Sequence, residues 1–184
     1  MLTLTHDITS PASAIAVARL QRLADEGVPV TFRGIDVLGL DATVPVTLDV
    51  LAELERVRAD ADTLGLILRR PSRRPPTVLV HVIADLADDV GLGAAWRTAA
   101  YQAYWRDDLD LGDPSVVASL AGHVGLDGEL VDALLADSGG VAAVRRRTHA
   151  ARGEGIGGVP VLIAHGTLVR ADLDEASLRQ LAGW

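Results

Sequence analysis

The residues with the clearest chemical potential are two serines, Ser10 and Ser13, in the stretch DITSPASAIA (residues 7–16). The preceding residues alternate apolar and polar side chains as a strand does, and the following residues have the apolar spacing of a helix. The serines therefore stand where a strand ends and a helix begins. That end of a helix has unpaired backbone N–H groups and a partial positive charge, which together stabilise an anion. A serine hydroxyl there can donate a hydrogen bond to the same anion.

The same residues also make an ordinary helix start. Serine is a preferred N-cap, proline suits the first helical position, and a serine hydroxyl is a poor nucleophile without an adjacent base. No Ser-His-Asp triad is evident. His6 and Asp7 precede Ser10, but alternation along a strand directs neighbouring side chains to opposite faces, so we expect at most one of the two to act as an acid or base. His149 is a third candidate for that role.

Composition excludes several kinds of chemistry. The chain of 184 residues is 49% hydrophobic, which is enough for one well-packed domain with an inserted subdomain. It has no cysteine and its 17 basic residues are all arginine, which excludes disulfide exchange, thiolate catalysis and lysine Schiff bases. The five histidines show no pair at metal-ligand spacing, so we predict no metal site.

Charge and hydropathy restrict the partners and the location. The net charge of −8 argues against a general nucleic-acid binder, which would normally be basic. The first residues, MLTLTHD, lack the basic segment and the apolar run of a targeting signal, and no stretch reaches the roughly 18 apolar residues of a membrane helix. We therefore expect a cytoplasmic protein that binds neither nucleic acid nor a membrane.

Hydrophobic periodicity predicts a β-α-β unit, a block of helices, and a final β-β-α unit. Strands are predicted over residues 2–6, 28–37, 160–164 and 167–170. Helices are predicted from residue 15 to Gly27 and over residues 46–61, 77–90, 94–107, 114–124, 128–137, 140–152 and 172–181. Residues 63–68 have the character of an extended segment, and three prolines exclude a helix from residues 69–76. A tight turn at His165–Gly166 would join the last two strands.

Three stretches resemble the thioredoxin-like group that contains DsbA, 2-hydroxychromene-2-carboxylate isomerase and kappa-class glutathione transferase. They are DITSPASAIA, AYWRDDLDLGDPSVVASLAGHVGLDGELVDALL (residues 103–135) and HAARGEGIGGVPVLIAHG (residues 149–166). In that group the first helix opens with Cys-Pro-x-Cys in the oxidoreductases and with Ser-Pro-Tyr-Ser in the isomerases and transferases. The resemblance implies an α/β thioredoxin-like fold with a large all-helical insertion. The thioredoxin-like domain would comprise residues 1–40 and 154–184, and the insertion would comprise residues 41–153.

The resemblance also implies a site and a reaction. In the resembling isomerases glutathione binds at this helix start, its thiol adds to a conjugated double bond, the bond rotates, and the thiol leaves. Carried over, Ser10 would activate the thiol, and Ser13 would help to bind the substrate or thiol. Val159 and Pro160, where the family's proline is cis, would hold the backbone of the ligand.

The chain departs from the glutathione-using members at two places. Ala12 replaces the aromatic residue of their motif, and Leu173 follows Asp172 where they have an arginine. We therefore predict a cis–trans isomerase of a conjugated double bond in an unsaturated acid or acyl chain, either a small molecule or carrier-bound. The resemblance suggests glutathione or another low-molecular-weight thiol as cofactor, and a homodimer. A thiol-dependent transferase and a non-catalytic DsbA-like binding protein remain alternatives.

Arginine clusters offer a second kind of binding site. Arg69, Arg70, Arg73 and Arg74 surround the prolines and are suited to phosphate or to an acidic carrier. A solvated basic loop is the commoner outcome for such a run, and the run 145–147 has the same two interpretations.

Overall fold

A four-stranded sheet in the order β2-β1-β3-β4 is the framework of the computed structural model, which describes residues 1–184. The strands are β1 (Leu2–His6), β2 (Val30–Gly34), β3 (Val161–Ala164) and β4 (Thr167–Arg170). β1 pairs in parallel with β2 and antiparallel with β3, and β3 pairs antiparallel with β4. The first and last parts of the chain therefore share one sheet, as the predicted element order requires.

Nine helices accompany the sheet. They are α1 (Pro11–Asp25), α2 (Leu48–Arg56), α3 (Arg58–Leu64), α4 (Val78–Asp89), α5 (Gly93–Trp105), α6 (Pro114–Val124), α7 (Gly128–Ala136), α8 (Ser138–Gly153) and α9 (Glu175–Ala182). Five helices begin at a residue whose side-chain oxygen accepts a hydrogen bond from a backbone N–H of the first turn. These N-cap residues are Ser10, Asp113, Asp127, Asp137 and Asp174. None of the helices combines the length and the apolar character needed to cross a lipid bilayer.

The prediction of a single helix over residues 46–61 is wrong, because the structure has two helices, α2 and α3, in this region. Val57, with φ −92° and ψ 1°, ends α2 and precedes α3. Both helices contact α1, and the bend at Val57 lets each of them bury a side chain, Leu54 from α2 and Ala61 from α3. After α3 the chain passes through Gly65, at φ +71°, into residues 66–70, which form neither helix nor strand.

One hydrophobic core links the sheet with the helical block. It contains 32 buried residues, among them Leu4 of β1, Leu162 of β3 and Leu20 of α1. Trp96 and Trp105 of α5 are each only 1% exposed, and the indole N–H of Trp105 donates to the carbonyl oxygen of Ile8, which connects α5 to the turn after β1. The division into a thioredoxin-like domain and an insertion stays a prediction.

Candidate functional site

Ser10 lies at the junction of three parts of the chain. It is the N-cap of α1 and is 5% exposed, and its Oγ accepts a hydrogen bond from the backbone N–H of Ser13 at 3.1 Å. The same Oγ lies 3.4 Å from the carbonyl oxygen of Val159 and 3.5 Å from Oε2 of Glu53. A hydroxyl has one proton, so Ser10 donates to only one of these two acceptors at a time. It can redirect that proton to an anion without leaving its cap position.

The sheet register explains why Val159 and Pro160 reach Ser10. Val161 of β3 pairs with Thr5 of β1, so the residues before β3 lie beside the end of β1, where the chain turns into α1. The Val159–Pro160 peptide bond is cis, and both residues are half-buried. The structure thus brings together the two predicted stretches that contain Ser10 and Val159.

Glu53 was not predicted from the sequence. It lies on α2 and is half-buried, and it flanks the buried stripe made by Val50 and Leu54. That stripe packs α2 against α1, which holds the Glu53 carboxylate next to the Ser10 hydroxyl. A carboxylate beside a helix N-terminus is in a favourable field, and it is the nearest group that can accept a proton from a ligand at Ser10.

Ser13 is placed differently from Ser10. Its side chain is fully buried, and its Oγ accepts a hydrogen bond from the backbone N–H of Asp7 at 3.4 Å. Its hydroxyl is therefore directed to the turn between β1 and α1. This contact steadies the turn that presents Ser10, and the predicted role of Ser13 in ligand binding stays a prediction.

A buried polar cluster lies beneath the start of α1. His6 and Asp7 are 2% and 0% exposed, and both belong to it, contrary to the expectation that they point to opposite faces. The reason is that β1 ends at His6, so the alternation of a strand does not extend to Asp7. Nδ1 of His6 lies 3.1 Å from the hydroxyl of Tyr101, and Oδ1 of Asp7 lies 3.7 Å from Nε2 of His81. The Asp7 carboxylate also accepts the backbone N–H of Val37 at 2.9 Å.

Burial and charge set the protonation of this cluster. Burial lowers the pKa of His6 well below its ordinary value, and the neighbouring His81 and Arg97 lower it further. Burial acts to raise the pKa of Asp7, but the nearby His81 side chain and the hydrogen bond from the N–H of Val37 outweigh it, so that pKa is lowered. Near neutral pH the cluster therefore holds an uncharged His6 beside an ionised Asp7.

Contacts from α5 hold the turn that leads into Ser10. The Tyr101 hydroxyl donates to the carbonyl oxygen of Asp7 at 3.2 Å, and the indole N–H of Trp105 donates to the carbonyl oxygen of Ile8 at 2.9 Å. Both aromatic residues are on α5, so this helix fixes the turn that leads into Ser10. Since His6 and Asp7 are sealed from solvent, we interpret them as positioning residues, and their predicted acid or base role stays a prediction.

His149 has no contact with Ser10. It is exposed on α8, and its side chain takes part in no hydrogen bond or ion pair. Glu154, at the end of the same helix, pairs with Arg33 at 2.9 Å. The structure therefore gives His149 no part in the arrangement around Ser10, and its acid or base role stays a prediction.

One arginine of the predicted cluster approaches the site. Nε of Arg74 donates to Oγ1 of Thr9 at 3.0 Å, and its backbone pairs with that of Val44. Arg73 instead pairs with Asp110 at 3.5 Å. Arg74 is half-buried and has no carboxylate partner, so it adds a positive charge to the residues that precede Ser10. No group of three His, Asp or Glu side chains is arranged to hold a metal ion.

The comparisons with known proteins agree with this architecture. The family profile described as a DSBA-like thioredoxin domain matches residues 2–182. The chain belongs to the DSBA-like thioredoxin family. The predicted thioredoxin-like fold is therefore confirmed. Because the chain has no cysteine, it cannot carry out the disulfide exchange of this family's oxidoreductases.

Three solved structures illustrate the range of this family. A probable DsbA oxidoreductase from Streptomyces coelicolor has a TM-score of 0.81 at 23% identity, over 99% of this chain and 89% of that one. A 2-hydroxychromene-2-carboxylate isomerase has a TM-score of 0.76 at 20% identity, over 99% and 92%. The cytosolic disulfide reductase DsbM from Pseudomonas aeruginosa, with GSH, has a TM-score of 0.65 at 17% identity, over 98% and 96%. These identities show the fold alone, and the comparison with curated proteins gives no match.

Proposed function

We propose that this DSBA-like protein is a cis–trans isomerase of a conjugated double bond in an unsaturated acid or acyl chain. The observation that carries the proposal is the placement of the Ser10 hydroxyl. It stands at the N-terminus of the 15-residue helix α1, beside the Val159 carbonyl, in a chain without cysteine. The absence of cysteine excludes disulfide exchange, and the 2-hydroxychromene-2-carboxylate isomerase is an example of an isomerase with this fold.

The site fits a thiol better than it fits the whole of glutathione. The N–H groups of α1 and the Ser10 hydroxyl suit a sulfur anion, and Glu53 is placed to take its proton. By contrast, the Asp172 carboxylate is paired with Arg170 and is followed by Leu173, so no free acid–arginine pair is available for the tripeptide. A small thiol bound here would supply the nucleophile that adds reversibly to the double bond.

The chain's own residues would then accept the released proton and stabilise the negative charge that develops on the substrate. Oε2 of Glu53 accepts the proton released at the site, and the Ser10 O–H turns from Val159 to the anion. The N–H groups at the start of α1 and the guanidinium of Arg74 stabilise negative charge that spreads over the conjugated acid when its double bond is lost. Rotation about the resulting single bond and expulsion of the nucleophile restore the double bond in the other geometry, so no oxidant or reductant is consumed.

An absorbance assay of isomerisation tests the proposal. The substrates are 2-hydroxychromene-2-carboxylate and a conjugated polyenoic acid, each with and without glutathione. Because removal of one hydrogen-bond donor to a reacting anion costs about a hundredfold in rate or more, we expect that loss in Ser10→Ala. Glutathione dependence would favour the thiol route, and activity without it would mean that Ser10 and α1 hold the substrate's own anion.

Asp127→Ala is the matched control. Asp127 caps α7 by accepting the backbone N–H of Leu130 at 3.1 Å, as Ser10 caps α1 by accepting that of Ser13 at 3.1 Å. Each substitution removes an N-cap contact worth about 1 kcal/mol. The control should lose similar stability and keep the wild-type rate. Equal rates in Ser10→Ala and in Asp127→Ala would leave Ser10 as a helix cap only. Absence of isomerisation in the wild type would favour a binding protein over an isomerase.

A further inference from the structure

A cavity of about 140 Å³ lies between α1, α5 and residues 65–68, and no part of the proposed reaction uses it. Most of its apolar lining comes from α1 and from the segment after α3, namely Ala14, Val17, Ala18, Leu66, Ile67 and Leu68, and α5 adds Ala94 and Tyr101. It shares no residue with the contacts of the Ser10 hydroxyl, which involve Ser13, Glu53 and Val159. The cavity is therefore a separate feature of the fold, set along α1 rather than at its start.

The charged groups in its wall already have partners. Arg97 pairs with Asp88 at 2.7 Å, and its guanidinium lies 4.0 Å from the ring centroid of Phe32. Arg106 forms two hydrogen bonds with the carboxylate of Asp107, at 2.9 and 2.8 Å. With both guanidinium groups paired, the cavity offers no free charge, and the rest of its polar lining consists of neutral side chains such as Gln21, Thr98 and Gln102. Its chemistry therefore favours a neutral apolar group over an anion.

The volume limits the size of that group. A cavity of about 150 Å³ lined by aliphatic and aromatic side chains is known to hold a benzene molecule. The cavity beside α1 is thus large enough for one ring or for a short hydrocarbon segment. It is too small for a second extended ligand such as a tripeptide.

Helix geometry relates the cavity to the reacting site. The backbone N–H of Ala14 donates to the carbonyl oxygen of Ser10 at 3.2 Å, so the first lining residue is one helical turn beyond Ser10. At about 1.5 Å of rise per residue, Ala14 and Ala18 lie roughly 6 and 12 Å along α1 from Ser10. A flexible hydrocarbon chain is long enough to place one end in the cavity while its double bond lies at Ser10. A fused ring system is too short to reach both places.

We propose that this cavity binds the hydrocarbon end of an unsaturated acyl chain whose conjugated double bond reacts at Ser10. The assignment rests on the proposed function and narrows it, because it selects acyl chains over acids in which the double bond adjoins a ring. The neutral end of the chain fills the space lined by Ala18 and Leu68, while its conjugated carbonyl stays beside Ser10.

A binding experiment tests the cavity by itself. The probe is 1-hexanol, titrated into the full chain labelled with nitrogen-15 and followed through the backbone amide resonances of Val17, Leu66 and Leu68. We expect saturable shifts in the wild type and affinity weakened at least about tenfold in Ala18→Leu, which fills the cavity. Thr98 lies in the wall that α5 forms, and Thr98→Leu should also weaken binding. Ala24→Leu, a half-buried position of α1 outside the cavity, should bind as the wild type does.

The outcomes separate this proposal from the isomerase proposal. We expect Ala18→Leu to raise the KM of a polyenoic acid at least about tenfold with kcat kept, and to leave 2-hydroxychromene-2-carboxylate unaffected. Absence of saturable binding in the wild type, or equal binding in both Ala18→Leu and Thr98→Leu, would overturn the cavity assignment while Ser10-dependent turnover stood. Hexanol binding without isomerisation of either substrate would overturn the proposed function, and with it the assignment of the cavity to a substrate.

Discussion

Acidification should destabilise the protein through His6. Burial, together with the charges of His81, Arg97 and Arg147, holds the pKa of His6 well below the ordinary 6.5, although the Asp7 carboxylate acts to raise it. Below pH 6.5 the unfolded chain therefore binds a proton at His6 that the folded chain does not, so stability is lost as pH falls. The slope is at most about 1.4 kcal/mol per pH unit, so His6 contributes no more than about 2 kcal/mol of this loss between about pH 7 and pH 5.

Two neighbouring carboxyl groups change this profile only at lower pH. The pKa of Asp7 is lowered, so Asp7 adds to the loss of stability as pH falls below its ordinary 3.8. The pKa of Asp36 is raised by burial and by the charge of Asp7, so between pH 3.8 and that raised pKa Asp36 acts in the opposite direction. The contribution of His6 is therefore clearest just below pH 6.5.

Urea unfolding, followed by tryptophan fluorescence, measures this effect. His6→Gln removes the titrating ring and should reduce the loss of stability between about pH 7 and pH 5, by at most about 2 kcal/mol. His149→Gln, which changes an exposed residue without contacts, should keep the wild-type dependence. The interpretation of the buried cluster would be refuted if wild type and His6→Gln lost the same stability over this range.

Three further predictions concern single residues. Gly34→Ala should destabilise the protein by about 1–3 kcal/mol in urea unfolding, because a Cβ at Gly34 would overlap the buried ring of His81. Gly122→Ala, at an open position within α6, should instead stabilise it by about 0.4–1 kcal/mol, and a loss of stability there would contradict the described packing. Glu53→Gln should lower kcat/KM at neutral pH at least about tenfold, and an unchanged kcat/KM would exclude Glu53 as the proton acceptor.

The sequence predicts the fold best where one residue type decides the backbone. His165 and Gly166 both have positive φ, 50° and 78°, as the two-residue turn between β3 and β4 requires. Ser10 and Pro11 likewise define the start of α1 by side-chain capping and by the fixed φ of proline. In these cases local stereochemistry determines the backbone conformation, so the hydrophobic periodicity and the turn residues are enough to predict the element.

Tertiary contacts decide what the sequence did not reveal. The bend at Val57 occurs without proline or glycine, and it depends on the packing of α2 and α3 on α1. Nothing local separates Glu53 from Glu55, which pairs with Arg58 on the exposed side of the chain. The inward turn of Asp7 follows from the end of β1 at His6 and from the distant partner His81.

Isomerisation by Ser10→Gly tests the central claim most directly. Glycine at an N-cap costs only a few tenths of a kcal/mol relative to serine, so this variant keeps α1 while it removes the hydroxyl beside Glu53 and Val159. The account predicts an almost unchanged thermal midpoint and a loss of about a hundredfold in kcat/KM for a conjugated polyenoic acid, with Ser10→Thr retaining part of the rate. A Ser10→Gly protein that is equally stable and isomerises the substrate at the wild-type rate would contradict it.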